Sequence, residues 1–323
     1  MAKRKKYNKQ KRIIGILSSA LIIVSTILLS VVLDIEQISF AQIAAIVDSF
    51  LEDPDKKEQR QAAQGELAVT IIDVGQGESI FIEANDKNVL IDAGENDCEQ
   101  LVVDFLKDKK VESLDLVIGT HPHSDHIGGL DSVIRQIETK MVLLPPMSKS
   151  QTPTTKTFED VLLAIDETQT QLITSKPGQV FNFGGGSILT IIGPQKEYDD
   201  LNNISIVSRL DFGEVSFLFT GDAEEVAEKD MIFGKYDLDV DILSAGHHGS
   251  STSTSSNFFQ KCSPSHVNIS CGLNNKYNHP HMETLKILDE TGTPYCRTDL
   301  NGNITYITDG KTYEVICEKE NAA

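Results

Sequence analysis

The apolar positions of the chain fall into three regimes. Residues 13–33 are 21 positions without a charged side chain, and positions 1–12 before them hold seven Lys or Arg and no acid. A run of that length crosses a bilayer as a helix, and the basic flank predicts a cytoplasmic tail (1–12) with the rest of the chain outside. A cleaved signal peptide is the competing reading. The run exceeds a usual signal core, and Ser-Val-Val-Leu at 30–33 offers no Ala-x-Ala site, which favours an uncleaved single-pass anchor at 13–33 in the cell membrane. In the second regime, residues 34–65, Ile35, Ile38, Ile43, Ile46, Val47 and Leu51 lie near helical spacing before a polar run. This predicts an amphipathic stalk and a linker.

The third regime, residues 66–318, alternates between two periods. Residues 67–73, 80–83 and 89–91 are β-rich, joined by Val74-Gly75-Gln76-Gly77-Glu78-Ser79 and by the Asn85-Asp86 turn. Residues 98–109 have helical spacing (Leu101, Val102, Phe105, Leu106) and end in lysines, as a helix C-terminus favours. The pattern then predicts a strand at 113–119, a helix at 130–138, a strand at 140–144 stopped by Pro145-Pro146, and a helix at 158–168. Strands at 180–183 and 187–192 flank Gly184-Gly185-Gly186, and a second hairpin joins 204–211 to 214–220. No helix or Lys-Ser/Thr follows the three glycines, so they read as a hairpin turn and not a phosphate loop. A helix at 223–231, strands at 239–244 and 267–271, and a helix at 282–291 follow, and strands 294–298 and 303–308 are expected to close the second sheet. Strands interleaved with helices predict an α/β class with helices covering the sheets.

Charge narrows the function classes. The net charge is −19, and beyond residue 12 the chain carries 22 basic against 48 acidic residues. Such a surface excludes broad, non-specific binding to duplex phosphates. The five cysteines (Cys98, Cys262, Cys271, Cys296, Cys317) include no Cys-x-x-Cys pair, which argues against a cysteine zinc site. Buried thiols are the simplest reading, and a bridge among the four C-terminal cysteines stays open for an extracellular domain.

The candidate chemistry lies in Thr120-His121-Pro122-His123-Ser124-Asp125-His126-Ile127-Gly128-Gly129, where three imidazoles and one carboxylate fall within six residues. These donors suit zinc, manganese or iron. The loop follows an apolar strand, so its side chains emerge at a sheet edge. His121 and His123 can reach one ion, and Asp125 and His126, past a turn, a second. Gly128 and Gly129 allow close backbone packing where the next helix begins.

His121-x-His123-x-Asp125-His126 resembles the signature of the metallo-β-lactamase superfamily. Asp73-Val-Gly-Gln-Gly-Glu78-Ser79 and Asp92-Ala93-Gly94 resemble the opening elements of the metallo-hydrolase domain of ComEC/Rec2 competence (DNA-uptake) proteins, with Glu78 where that family has Asp. Gly221-Asp222 and His247-His248-Gly249-Ser250-Ser251 follow in the expected order. The resemblance, over roughly residues 66–316, implies a four-layer αββα sandwich, which the apolar run at 13–33 would precede as one transmembrane helix. It implies two divalent ions, zinc first and manganese second, held by His121, His123, Asp125, His126, Asp222 as the bridge, and His247, which leaves its strand first, with the swapped assignment to His248 open. It implies catalytic roles for Asp125, His248 and His279, and substrate contacts at Asn203, Ser205, Ser250 and Ser251. Arg297 and Thr298 are weaker phosphate candidates; His266 and His281 read as structural. Asp92 could hydrogen-bond either backbone or a ligand imidazole.

One feature departs from many members of the superfamily. No His lies between His126 and His247, and the corresponding region reads Asn202-Asn203-Ile204-Ser205. The first metal position therefore holds only His121, His123 and Asp222 as strong ligands, which predicts weaker or harder-metal occupancy. The expected function is a membrane-anchored phosphodiesterase with its catalytic domain outside the cell, acting on a phosphodiester such as single-stranded DNA. A phosphoryl-ester esterase of the cell wall and a metal-bound, catalytically weak binding domain are the alternatives. The sequence leaves the oligomeric state open.

Overall fold

A computed structural model describes residues 62–148 and 151–319, all within the second of two units, residues 57–323. The expected tail, anchor and most of the stalk lie outside the described residues. Among the described residues, no helix is long and apolar enough to cross a membrane.

Two sheets stack face to face. The larger has eight strands, in the spatial order Tyr313–Cys317, Ile304–Thr308, Leu67–Ile71, Ile80–Ala84, Lys87–Ile91, Leu116–Ile118, Met141–Leu144, Gln171–Thr174. The smaller has seven: Tyr295–Arg297, His266–Ile269, Ile242–Ser244, Val215–Phe219, Val207–Phe212, Ser187–Gly193, Val180–Asn182. Alternation explains the layering. Val69, Ile71, Ile80 and Ile82 of one sheet meet Leu189, Ile191, Phe217 and Phe219 of the other in the central core. The opposite faces of the same strands, such as Phe81, Leu90 and Val117, pack under Glu99–Asp108, Leu130–Gln136 and Lys156–Thr168. Leu218, Leu243 and Val267 pack under Glu225–Ile232, Ser256–Cys262 and Met282–Thr291. Helix, sheet, sheet, helix is the expected four-layer order.

The expected hairpins form at 85–86, at the triple glycine and at 213. One placement differs. Ile304–Thr308 does not close the second sheet; it pairs antiparallel with Leu67–Ile71 in the first, Val69 opposite Tyr306. The chain therefore changes sheets between Tyr295–Arg297 and Ile304–Thr308. All five residues of Ile304–Thr308 are buried, Thr305 and Thr308 included, and the pattern suits a strand of either sheet, so periodicity could not say which one it joins. Gln171–Thr174 and Tyr313–Cys317 are edge strands missing from the expected elements; the first is mostly exposed, and an edge needs little apolar character.

Each sheet contains a run of parallel strands, and their C-terminal ends carry the polar motifs. Leu116–Ile118 leads into Thr120–His126, Val215–Phe219 into Asp222, and Ile242–Ser244 into the His247–His248 turn. Ligand sites collect at such ends in open α/β sheets.

Candidate metal centre

The His-rich loop is held from below by backbone. Glu78 N donates to Asp125 O at 3.0 Å, and Ala93 N to His126 O at 2.7 Å. A Cβ on Gly77 would meet Asp125 O at 2.4 Å, and one on Gly128 would meet Asn96 N at 2.3 Å. The two glycine-bearing elements at 73–79 and 92–94 thus brace this loop from the first sheet.

Asp92 organises the interior side. Its Oδ1 accepts from Thr120 N at 2.8 Å, and its Oδ2 from Thr120 Oγ1 at 2.6 Å. Oδ2 also lies 2.7 Å from His126 Nδ1. That contact commits Nδ1 and leaves Nε2 facing Asp222, 3.0 Å from its Oδ1.

Asp222 divides its two oxygens. Oδ1 faces His126 Nε2 at 3.0 Å and His248 Nε2 at 3.7 Å. Oδ2 faces His121 Nε2 at 3.7 Å and His247 Nε2 at 3.5 Å. His123 Nδ1 lies 3.0 Å from His121 Nε2, and Asp125 Oδ2 lies 3.3 Å from His248 Nε2. Three groups with donor atoms within 4.8 Å of one another result among the described residues: His121, His123 and Asp222; Asp125, His126 and His248; and Glu78, Asp92 and His126, which lies on the interior side. The second is completed by His248. His247, expected as its ligand, stands on the Oδ2 side of Asp222, with Nδ1 3.5 Å from Glu224 and 3.3 Å from Thr252 Oγ1.

The turn explains the exchange. His247 (φ 51°) and His248 (φ 57°) are successive left-handed residues, a conformation costing about 1–3 kcal/mol at each non-glycine position. His247 N to Gly221 O at 3.0 Å and Gly246 N to Thr254 Oγ1 at 2.9 Å hold it, and Glu228 accepts from Thr254 N and Ser255 N below. The backbone twist carries His248 inward, where its Nδ1 meets Ser270 O at 3.0 Å. A count of positions beyond the strand cannot reveal such a twist.

Electrostatics follow from this crowding. Burial works against charge on His126, yet the Asp222 and Asp92 carboxylates outweigh it and hold the imidazole well above its ordinary value. Burial likewise opposes ionisation of Asp222, but His126, His248 and His121 keep it well below the usual carboxylate range. His121 is pushed well below the ordinary imidazole value, first by burial and then by His126. Glu78 is raised to about 7 by burial; its Oε1 accepts from Ser244 Oγ at 3.2 Å.

These residues fit divalent cations. His126 Nε2, His248 Nε2 and Asp222 Oδ1 are buried and converge within 3.0–3.7 Å, facing one another without well-aligned hydrogen bonds. Two imidazole groups sharing one carboxylate are a donor set that borderline metals favour.

A cleft of about 520 Å³ opens over the centre, lined by His123, Asp125, Asp222, His247, His248 and His279, among others. His279 lies between His248 and Tyr277, stacked on both, with ring centroids 6.0 and 5.6 Å away. Its Nδ1 is buried without a partner, as is Gln76 Nε2 on the cleft wall. Other expected substrate contacts are engaged elsewhere. Asn203 Oδ1 accepts from Glu224 N and Ala227 N, capping Glu225–Ile232, and Asn202 lines the cleft instead. Ser205 Oγ accepts from Asp222 N at 3.1 Å and meets His121 Nδ1 at 3.3 Å, so it positions two of the converging side chains. Ser250 Oγ pairs with Thr252, and Ser251 N donates to His281 Nδ1. Arg297 is paired with Asp299, and Thr298 with the Cys271 backbone. Sequence reasoning missed Gln76, Asn96 and Tyr277, which lie in unrelated segments and share no spacing signal.

The family model described as "Metallo-beta-lactamase superfamily" matches residues 72–261. The chain belongs to this superfamily. Among curated relatives, it is 31% identical to "ComE operon protein 3" of Bacillus subtilis over 76% of this chain and 33% of that protein. It is 28% identical to "Competence protein ComA" of Neisseria gonorrhoeae, over 75% of this chain and 32% of that one. The chain thus spans about a third of the length of these relatives. Among solved structures, Igni18, a metallo hydrolase from Ignicoccus hospitalis, aligns with a TM-score of 0.50 at 14% identity, over 74% of this chain and 98% of that one. CmlA, a diiron β-hydroxylase from Streptomyces venezuelae, also gives 0.50 at 14% identity, over 83% of this chain and 60% of the other. Superfamily membership and this fold supply a metallo-hydrolase frame.

Proposed function

We propose that the domain is a metal-dependent phosphodiesterase whose substrate is a single-stranded nucleic acid, anchored outside the cell membrane by residues 13–33. The observation that carries this reading is the division of Asp222 between two imidazole groups at the floor of an open polar cleft. His121, His123 and Asp222 would hold one divalent ion, and Asp125, His126, His248 and Asp222 a second. Bound there, two such ions supply a Lewis acid and an activated water at neutral pH.

The chain's own side chains have separable tasks. Asp92 sets the His126 tautomer, and Ser205 fixes Asp222 against His121. Asp125, at the cleft wall, is the carboxylate nearest both His248 and solvent, and would orient the attacking water. His279 and Gln76 present unpartnered nitrogen atoms where phosphoryl oxygens would lie. His247, exposed to the cleft, would face the substrate. The acidic surface confines binding to the cleft, which suits one flexible strand better than a duplex. The competence proteins among its relatives support this substrate class.

The test is cleavage of a labelled single-stranded oligonucleotide with zinc or manganese. Activity lost in Asp222→Ala and His123→Ala supports the nuclease. Turnover of small phosphodiesters but not DNA would point to a phosphoryl-ester esterase, and no turnover with any metal to a binding domain.

A further inference from the structure

We propose that Cys296 and Cys317 form a disulfide that ties the two sheets together at one edge. Cys296 lies on Tyr295–Arg297, an edge strand of the seven-stranded sheet, and Cys317 on Tyr313–Cys317, an edge strand of the eight-stranded sheet. Their sulfur atoms are 3.2 Å apart. Both side chains turn inward and pack on the rim of the core between the sheets, in line with Tyr313 and Val315. Strand alternation therefore aims both thiols at the same gap, and a shift of roughly 1 Å brings the sulfurs to bonding distance.

The other cysteines are placed differently. Cys98 Sγ donates to Val74 O at 3.0 Å, Cys262 ends the helix Ser256–Cys262 wholly buried against the second sheet, and Cys271 Sγ faces Asp299 at 3.4 Å. The odd cysteine count is thus resolved as one pair and three separate thiols.

An imidazole stands beside the pair. His266 Nε2 is 3.9 Å from Cys296 Sγ, and its Nδ1 is 2.9 Å from Tyr306 Oη. With Nδ1 donating to Tyr306, Nε2 offers a lone pair to the thiol. Burial pushes His266 down to about 4, so the ring is neutral at physiological pH. The chemistry is exchange with a small-molecule disulfide. Cys296 gives its proton to solvent, and the thiolate attacks one sulfur of the oxidant, releasing its first thiol as a thiolate that takes a proton from solvent. Cys317 then attacks the Cys296 sulfur of the mixed disulfide and expels the second thiol with its own proton. Two protein thiols are oxidised and one disulfide is reduced to two thiols.

The cross-link closes the segment in which the chain leaves one sheet and inserts Ile304–Thr308 beside Leu67–Ile71. Its formation requires an oxidising compartment, so it reports on which side of a membrane the domain lies.

The experiment oxidises the purified full chain with glutathione disulfide, blocks remaining thiols, and maps peptides without reduction. The expected result is a loss of 2 Da on forming one bond, a peptide joining Cys296 to Cys317, and an unfolding midpoint about 4–10 °C above that of the reduced protein. Cys296→Ser and Cys317→Ser should each abolish the linked peptide and the shift. Full alkylation of both residues after oxidation, or a bond from either to Cys98, Cys262 or Cys271, would overturn the proposal. The wild-type peptide map decides the matter even if a serine variant folds poorly.

Discussion

Asp92 and His126 meet at 2.7 Å, Oδ2 against Nδ1, with both side chains wholly inaccessible to water. This contact decides which nitrogen of His126 can turn to Asp222, and so whether the two halves of the centre can share a carboxylate. Asp92 is itself fixed by two bonds to Thr120, at the end of the strand that carries the His-rich loop. Orientation thus passes from backbone to carboxylate to imidazole.

Asp92→Asn should keep the Thr120 backbone bond yet lose charge at Nδ1. Partners of this kind are worth about 10–100-fold in metal affinity. Competition with a chromogenic chelator should show weakening in that range, with an unchanged circular dichroism spectrum. Wild-type affinity in the variant would remove Asp92 from the scheme.

Asp222→Ala removes the carboxylate common to both groups. Metal analysis after dialysis should fall from two equivalents to fewer than one, because each remaining group has lost an anion among imidazoles. Retention of a single tightly held equivalent would mean that Asp222 serves one position only.

His247→Ala and His248→Ala should separate. Removing His248 takes the imidazole nearest Asp125 and should cost one metal equivalent. Removing His247 should leave the stoichiometry intact and raise KM for a phosphodiester several-fold. Reversed behaviour would restore the order that position along the chain suggested.

His266 predicts an acid limb of stability. Burial holds its folded-state value near 4, below the ordinary 6.5 of an unfolded imidazole. The unfolded chain therefore binds the extra proton between those values, and stability falls as pH drops from about 6.5 to about 4. In His266→Leu, urea midpoints across that window should decline less steeply than in wild type. Parallel curves would show that the ring titrates normally.

Gly128→Ala tests the bracing of the loop. A methyl group there would meet Asn96 N at 2.3 Å and Ser124 O at 2.4 Å, both backbone atoms that cannot swing away. Overpacking of this kind costs about 1–3 kcal/mol, which should lower the unfolding midpoint by several degrees.

The sequence by itself determined the parts that local physics governs. Alternation at 67–91 and helical spacing at 98–109 specified strands and a helix, because a face to be buried must recur with the period of its backbone. The cluster His121, His123, Asp125 and His126 was legible because its donors are neighbours in the chain, and no core packing would select them. What only the tertiary structure decided depends on atoms brought together from distant segments. The left-handed turn at His247 and His248 aims the second imidazole at Asp125, and its bonds to Gly221 and Thr254 come from other elements. Asn203 spends its oxygen on a helix cap, and Ile304–Thr308 returns to the first sheet. Cys296 and Cys317 face one another only because two sheets end at the same edge. In each case spacing along the chain names the donor, while its direction is set by hydrogen bonds and packing between elements far apart in sequence.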